Sequence, residues 1–217
     1  MIDKVYGFIH RIFSAPKERG EYSAGYWQNQ IRKVALEFCR CSQGNLLEIG
    51  CGEGLFLRQV LEQNSAFKLW GVDNSAERIA RASKRLDGGD VSLSVGDAAV
   101  LSFPDGYFNA VVCINVFFNM PSIEVVRKTL EQMRRVCRQD GVIIFDFRNA
   151  ANPLLALKYA LAPLYDKTVR DLPLKTYYLW QFEKMLEGLE MKIVDKAYIG
   201  CSCEKMAPII MIKAQRA

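Results

Sequence analysis

One short stretch limits the fold more than any other part of the chain. The apolar run Leu46–Ile49 leads directly into Gly50-Cys51-Gly52-Glu53-Gly54, and apolar residues then recur at helical spacing from Leu55. This order predicts a strand, a tight turn and a helix. Glycine permits positive φ and a close approach of the backbone to a ligand, while the following helix directs its first N–H groups at that ligand. The stretch therefore predicts a nucleotide-type binding crevice in an α/β sheet.

Two features distinguish this stretch from a dinucleotide-binding loop. Its Gly-x-Gly-x-Gly spacing is one residue shorter than Gly-x-Gly-x-x-Gly, and Glu48 and Glu53 add carboxylates that repel a pyrophosphate. S-adenosylmethionine carries a sulfonium and an ammonium and has no phosphate, so it fits these charges. Glu-x-Gly-x-Gly-x-Gly at a strand end resembles the first motif of the class I S-adenosylmethionine-dependent methyltransferases. The resemblance implies cofactor-binding roles for Glu48, Gly50, Cys51, Gly52 and Gly54.

Three later strand ends carry polar residues that extend this crevice. Asp73 ends a predicted second strand, 19 residues after the last glycine, where an acid can accept both hydroxyls of a ribose. After the third strand, the Asp97 carboxylate can accept from an adenine amine, and the Ala98 backbone N–H can reach a ring nitrogen. In the family that the chain resembles, the end of the fourth strand meets the methionine part of the cofactor. The further cofactor-binding residues are therefore predicted to be Asp73, Asn74, Asp97, Ala98, Ile114 and Asn115.

Strand and helix patterns alternate along most of the chain. Five such repeats and two closing strands predict a doubly wound α/β sheet with helices on both faces. The resemblance covers about residues 26–214 and implies a Rossmann-like sheet of seven strands, with six parallel and the last antiparallel next to the fifth. Residues 26–217 are predicted to form this methyltransferase domain. Residues 148–177 interrupt the alternation with three prolines, and the resemblance implies that this insertion covers the acceptor.

The N-terminal segment, residues 1–25, precedes these repeats. Residues 1–14 carry apolar side chains at helical spacing, which predicts an amphipathic helix, and a loop follows it. Three roles stay open for this helix: docking on the domain, forming a lid over the active site, or contacting a membrane surface. The third role is considered because Lys17 and Arg19 follow the helix.

Composition and charge limit the kinds of partner and cell compartment that are expected for this protein. The net charge of +5 is mild and spread along the chain, so no nucleic-acid partner is predicted. The seven cysteines include two Cys-x-Cys pairs and no Cys-x-x-Cys, which predicts reduced thiols and no metal site. There is no run of about 18 apolar residues and no signal peptide, and a cytoplasmic protein is predicted. The sequence indicates no particular oligomeric state.

The resemblance also implies a reaction. It is an in-line SN2 transfer of a methyl group from S-adenosylmethionine to a small-molecule acceptor such as a quinone, a sugar, a lipid-linked compound or another metabolite, with S-adenosylhomocysteine as product. An oxygen acceptor would also need a general base. His10, Asp146 and Tyr165 are candidates by position alone, so the catalytic residue stays unknown. For Arg148, a salt bridge is favoured over binding of an anionic acceptor.

Two other functions stay open at this point. One is methylation of nucleic acid or protein, and the other is a non-catalytic subunit that binds S-adenosylmethionine. Enzymes that flip an amino-bearing base carry Asn/Asp-Pro-Pro-aromatic after the fourth strand. Here Asn115-Val116-Phe117-Phe118 lacks the prolines, which disfavours nucleic acid. Phe117 and Phe118 are candidates either for an acceptor pocket or for the core.

Overall fold

The computed structural model describes residues 26–40, 42–63, 66–155, 157, 159 and 173–217. The predicted helix of residues 1–14, together with His10 and Tyr165, lies outside these residues. In chain order the elements are α1 (Tyr26–Cys39), β1 (Gly44–Ile49), α2 (Leu55–Glu62), β2 (Phe67–Asp73), α3 (Ala76–Arg85), β3 (Val91–Val95), β4 (Phe108–Cys113), a 3₁₀ turn (Phe117–Asn119), α4 (Ile123–Val136), β5 (Cys137–Arg148), α5 (Leu179–Gly188), β6 (Met191–Ile199) and β7 (Ile209–Arg216).

The strands form one seven-stranded sheet in the order β3-β2-β1-β4-β5-β7-β6. Strands β1 to β5 pair in parallel, whereas β7 pairs antiparallel with both β5 and β6. This arrangement confirms the predicted Rossmann-like sheet with its antiparallel last strand beside the fifth. Because β1 to β5 are parallel, their carboxyl ends lie along one edge. Successive strands are added on one side of β1 up to β3 and on its other side from β4 onward, so the strand order reverses between β1 and β4. Ligands bind at such a point in open α/β sheets.

Two apolar clusters cover the two faces of the sheet. Alternate residues of one strand face opposite sides, so in β1 Leu47 joins one cluster and Leu46 joins the other. Helices α4 and α5 pack on the first face, with Leu130 and Phe182 fully buried. Helices α1, α2 and α3 pack on the second face. Burial on both faces explains why β4 and residues 142–147 of β5 are mostly apolar in sequence.

Local sequence fixes where several elements begin. The Ser75 hydroxyl accepts from the Arg78 N–H at 3.3 Å and caps α3, and Ser122 caps α4 in the same way. Strand β5 begins earlier than its apolar run indicates, because Phe108 pairs with Cys137 before the register shifts. Among the described residues, the helices are all too short or too polar to cross a bilayer.

Candidate cofactor and acceptor site

The glycine loop lies at the carboxyl end of β1, between β2 and β4. Gly50, Gly52 and Gly54 all have positive φ, at 72°, 52° and 76°. The backbone N–H groups of Gly50 and Cys51 both donate to the Val72 carbonyl, so the loop is tied to β2. A Cβ on Gly50 would lie 2.3 Å from Val116, whereas a Cβ on Gly52 would meet no atom within 4 Å. The loop is therefore closely packed below and open at Gly52.

Asp73 connects this loop to the end of β2. Its carboxylate is buried, and Oδ2 accepts from the Gly52 N–H at 2.9 Å while Oδ1 accepts from the Ser75 N–H at 3.0 Å. Arg78 lies 3.7 Å from Oδ1 and is mostly exposed. A carboxylate offers about four acceptor positions, so two backbone donors leave capacity for the hydroxyls of a ribose. Asn74, the next residue, is exposed.

Glu48 is buried beneath the same loop. The Leu57 N–H, in the first turn of α2, hydrogen-bonds to its carboxylate. Among the described residues, none hydrogen-bonds to the Oε2 atom of Glu48. Burial raises the pKa of this carboxyl well above its usual value; nearby Arg32 opposes the shift, and the negative charge of Asp73 adds to it. Glu48 is thus a buried acceptor with one unused oxygen.

Glu53 has a different role from the one expected of a carboxylate in this loop. Its Oε1 accepts from Arg81 at 2.9 Å, and Arg85 Nη1 donates to the Glu53 carbonyl at 2.7 Å and lies 3.5 Å from Oε2. Both arginines belong to α3. Their charges neutralise Glu53, so it is less suited to attract a cationic ligand than the sequence motif indicates. Glu53 instead fastens the glycine loop to α3.

The end of β3 forms the other side of the crevice. Asp97 is exposed, and its Oδ1 accepts from the Ala99 N–H at 2.8 Å, while Ala98 packs against the core. Val95 and Val100 flank this turn with 56% and 71% of their surface exposed. Exposed apolar side chains beside a carboxylate suit a flat, amine-bearing ring such as adenine. The structure thus brings Asp97 and Ala98 to the edge that holds Asp73.

The end of β4 is held by a buried polar cluster. Ile114 is buried, and Asn115 has a left-handed backbone with φ of 58°. The Asn115 N–H donates to Asp146 Oδ1 at 2.6 Å, and Asp146 Oδ2 accepts from Arg148 at 2.6 Å. The favoured salt bridge of Arg148 is therefore confirmed. The candidacy of Asp146 as general base is not, because both of its oxygens are engaged and only 1% of the residue is exposed.

The two phenylalanines after β4 have separate roles. Phe117 is fully buried and stacks on Phe182 with ring centroids 5.8 Å apart, so it belongs to the core. Phe118 is partly buried and carries the Arg148 guanidinium 4.3 Å above its ring. The Tyr177 hydroxyl donates to the Phe117 carbonyl at 3.1 Å. The described end of the 148–177 segment is thereby tied to the turn that follows β4.

Two residues that contribute to the candidate site were not predicted from the sequence. Arg32 is buried on α1 and acts on the charge of Glu48. Arg32 lies seven residues before buried Cys39, which places a cation on the apolar face of α1. This placement is the sequence feature that could have identified Arg32 as part of the site. Tyr177 lies in a segment without strong periodicity, and its contact with Phe117 depends on the pairing of Tyr177 with Asn149 beside β5.

Cys39, Cys201 and Cys203, and a separate groove, do not belong to the set of crevice residues. Burial raises the pKa of the Cys39 thiol to about 12, which keeps it protonated, and Cys201 and Cys203 are exposed. No group of three or more metal-ligating side chains occurs within the described part of the chain. A groove of about 410 Å³ between α4 and α5 is lined by apolar residues such as Trp180 and Met185, by charged residues such as Arg127 and Lys184, and by none of the crevice residues.

The fold and the crevice together are typical of α/β proteins that bind a nucleotide-type ligand at the carboxyl edge of the sheet. Comparisons with known proteins identify the class. Residues 46–141 match a family described as a methyltransferase domain. The phosphatidylethanolamine N-methyltransferase of Cereibacter sphaeroides is 30% identical over 148 residues, which cover 65% of this chain and 70% of that protein. A ubiquinone/menaquinone biosynthesis C-methyltransferase of Pseudomonas paraeruginosa is 26% identical over 181 residues, covering 77% of this chain and 69% of that protein.

Solved structures share the fold. Magnesium protoporphyrin IX methyltransferase from Synechocystis PCC 6803, crystallised with bound S-adenosylhomocysteine, superposes with a TM-score of 0.68 at 17% identity and covers 99% of this chain and 95% of its own. The chain belongs to the S-adenosylmethionine-dependent methyltransferases. Its methyl donor is S-adenosylmethionine.

The residues at the crevice fit this cofactor. The unused, buried Oε2 of Glu48 suits a cationic donor, and the free space beside Gly52 admits a ligand against the backbone. Asp73 retains acceptor capacity for a ribose. When bound, the cofactor supplies a methyl group that its sulfonium has already activated. The observed geometry thus agrees with the cofactor that the comparisons identify.

Proposed function

We propose that this protein methylates an amphiphilic small molecule, with a polar group to receive the methyl and a long apolar portion. The observation that carries the proposal is a set of exposed apolar side chains where the acceptor would approach. Leu154 and Leu157 follow β5 and are 61% and 58% exposed. Met206 is 41% exposed in the β6–β7 connection, and its carbonyl accepts from the Asn152 side chain. These three side chains form the apolar rim.

The position of the apolar rim supports this acceptor class. Asn149, directly after β5, donates through its side-chain amide to the carbonyls of Glu204 and Ala207, so the β6–β7 connection is held beside the end of β5. The same strand end carries Arg148, which contacts Asn115. An apolar portion lying on Leu154, Leu157 and Met206 would therefore extend away from the methyl donor. Burial of apolar area contributes about 25 cal/mol per Å² to binding.

In this proposal, the residues of the crevice position the methyl donor. Asp73 and Asp97 hold the adenosine part, Glu48 and the end of β4 hold the amino-acid part, and the glycine loop lets the ligand approach the backbone. Alignment of two reactants can lower a barrier by about 7–11 kcal/mol. The acceptor must then be oriented and water excluded, which is the role proposed for the 148–177 segment. No general base is assigned.

Two relatives support an amphiphilic acceptor through their names alone. One is named for phosphatidylethanolamine and the other for ubiquinone and menaquinone biosynthesis. Methylation of nucleic acid is less well supported. It requires an exposed aromatic ring to stack on a flipped base, but Phe117 is fully buried and Phe118 is covered by Arg148.

The test supplies labelled S-adenosylmethionine and separates the products by solvent extraction. The acceptors are vesicles containing phosphatidylethanolamine, a long-chain prenyl hydroquinone, short-chain or headgroup analogues of each, and transfer RNA. We expect label in the organic phase, with the long-chain member preferred over its short analogue. Label only in water-soluble products or in RNA would contradict the proposal.

A pair of matched variants tests the apolar rim. Leu157→Ser should raise KM for the long-chain acceptor about tenfold and leave KM for its short analogue unchanged, because only the long chain contacts the apolar rim. Val194→Ser removes an exposed apolar side chain of β6 and serves as the control. Equal KM changes for the two acceptors would show that Leu157 does not contact the apolar portion.

A further inference from the structure

Three residues at the carboxyl edge form a closed hydrogen-bonded ring, here called the Asn115 ring. Asn115 donates its backbone N–H to Asp146, Asp146 accepts from Arg148, and Arg148 Nη2 donates to Asn115 Oδ1 at 3.0 Å. Asn115 is therefore held at both its backbone and its side chain. Asp146 and Arg148 are two residues apart on β5, so they face the same side of the sheet.

The surroundings of the ring immobilise it. Asp146 and Arg148 are 1% and 6% exposed. The guanidinium lies over the Phe118 ring and also hydrogen-bonds to the Tyr159 hydroxyl. Burial raises the pKa of Asp146, while Arg148 and the Asn115 N–H oppose the shift. With its partners supplied within the ring, Arg148 is poorly placed to bind an anionic acceptor. The ring therefore needs a different explanation.

The conformation of Asn115 supplies that explanation. A left-handed backbone is unfavourable for most residues, although asparagine tolerates it better than others. Asp146 and Arg148, both charged and buried, hold Asn115 in this conformation immediately after β4. This backbone orientation determines where the peptide groups of Ile114 and Asn115 point. Those groups lie at the same edge as the glycine loop, since β1 and β4 are adjacent and parallel.

We propose that Asp146 and Arg148 are positioning residues for the amino-acid portion of S-adenosylmethionine. They fix Asn115 in its left-handed conformation, so that the peptide groups at the end of β4 meet that portion of the cofactor. The inference rests on the proposed assignment of the β4 end to the cofactor. It does not depend on the identity of the acceptor.

The test compares two ligands by calorimetry in the absence of any acceptor. S-adenosylhomocysteine has the amino-acid portion, whereas 5′-methylthioadenosine keeps the adenosine and the thioether but lacks it. Arg148→Met should weaken S-adenosylhomocysteine about ten- to a hundredfold and change 5′-methylthioadenosine less than twofold. Arg148→Lys keeps a cation beside Asp146 without bridging to Asn115, so its loss should be intermediate. Asp73→Asn, at the ribose position, should weaken both ligands to the same extent.

The outcomes distinguish positioning from general stability. Arg134→Met is the matched control, because Arg134 is a partly buried arginine that bonds to Leu189 and Glu190, away from the crevice. It should change neither affinity. If Arg148→Met does not fold, Arg148→Lys provides the same ligand comparison. Equal weakening of both ligands, or no weakening, would overturn the inference. Since no acceptor is present, failure to find an amphiphilic substrate would leave these affinities unaffected.

Discussion

At the scale of single residues, two glutamates of one motif have unrelated tasks. Glu48 and Glu53 are five positions apart and both are buried. Glu53 is neutralised by arginines of α3, whereas one oxygen of Glu48 lacks a hydrogen-bond partner among the described residues. Burial of a carboxylate with an unused oxygen costs free energy in the ligand-free protein. We therefore propose Glu48, and not Glu53, as the carboxylate available to the cofactor.

Glu48→Gln should therefore stabilise the protein and weaken cofactor binding. The pKa of Glu48 is raised on folding, so the unfolded chain loses this proton at lower pH than the folded protein. The parent's free energy of unfolding thus falls as pH rises through the raised pKa, and a glutamine avoids that fall. The variant's advantage should be absent near pH 4 and grow with pH, as measured by urea denaturation. Affinity for S-adenosylhomocysteine should fall about tenfold, ~1.4 kcal/mol.

An exposed glutamate provides the control of opposite sign. The pKa of Glu124 is lowered, chiefly because the Ser122 hydroxyl hydrogen-bonds to its carboxylate. Glu124→Gln should therefore lose stability relative to the parent as pH rises above the lowered pKa, and it should leave cofactor affinity unchanged. A Glu48→Gln protein that is less stable than the parent at neutral pH would contradict the role assigned to burial.

At the scale of elements, the glycine turn and the end of β4 are fitted to each other. Val116 packs where a side chain of Gly50 would lie, and the Asn115 ring fixes the backbone one residue before Val116. The two loops that are proposed to hold the cofactor thus depend on one contact. A change in either loop should be transmitted to the other.

Gly50→Ala tests that fit. The new Cβ would lie 2.3 Å from Val116 Cγ2 with φ at +72°, so both a clash and an unfavourable backbone are expected. The free energy of unfolding should fall by about 2–4 kcal/mol, measured by chemical denaturation. Gly88→Ala, at φ +81° with no atom within 4 Å, isolates the backbone contribution and should cost about 1–2 kcal/mol. Adding Val116→Ala should recover part of the Gly50→Ala loss; no recovery would show that the clash is not the cause.

At the scale of the whole molecule, the site is assembled from the ends of separate strands. Glu48, Asp73, Asp97 and Asn115 lie near the carboxyl ends of β1 to β4, and β5 supplies the residues that hold Asn115. Each strand is anchored in the two-faced core. A ligand that contacts several of these ends should therefore stabilise the sheet as a unit, because it binds only the folded chain.

Thermal unfolding measures this linkage. At 100 times its Kd, S-adenosylhomocysteine should add ~2.7 kcal/mol to the free energy of unfolding. For a domain of this size that corresponds to a rise in Tm of about 5–10 °C. NAD at the same concentration is the control and should leave Tm unchanged, because Glu48 and the short glycine loop disfavour a pyrophosphate. A larger shift with NAD would contradict the assignment of the crevice.

The sequence alone determined the order of elements, the glycine loop and most of the polar positions at the edge. Periodicity and capping are local properties, which is why α3 and α4 begin where Ser75 and Ser122 indicate. The spacing of Asp73 and Asp97 from the glycines also predicted that these residues lie at one edge, because parallel strands bring their carboxyl ends together. The salt bridge of Arg148 was also predictable, since residues two apart on a strand share a face.

Only the tertiary structure decided which charges remain available. Glu48 and Glu53 are equivalent in the motif, and the arginines that neutralise Glu53 come from another helix, 28 and 32 residues away. Asp146 was a candidate base by position alone, but Asn115 and Arg148 occupy its two oxygens in the folded protein. Phe117 and Phe118 are adjacent in sequence but separate into core and cation contact. Burial and pairing depend on residues distant along the chain, so local patterns of residues could not reveal them.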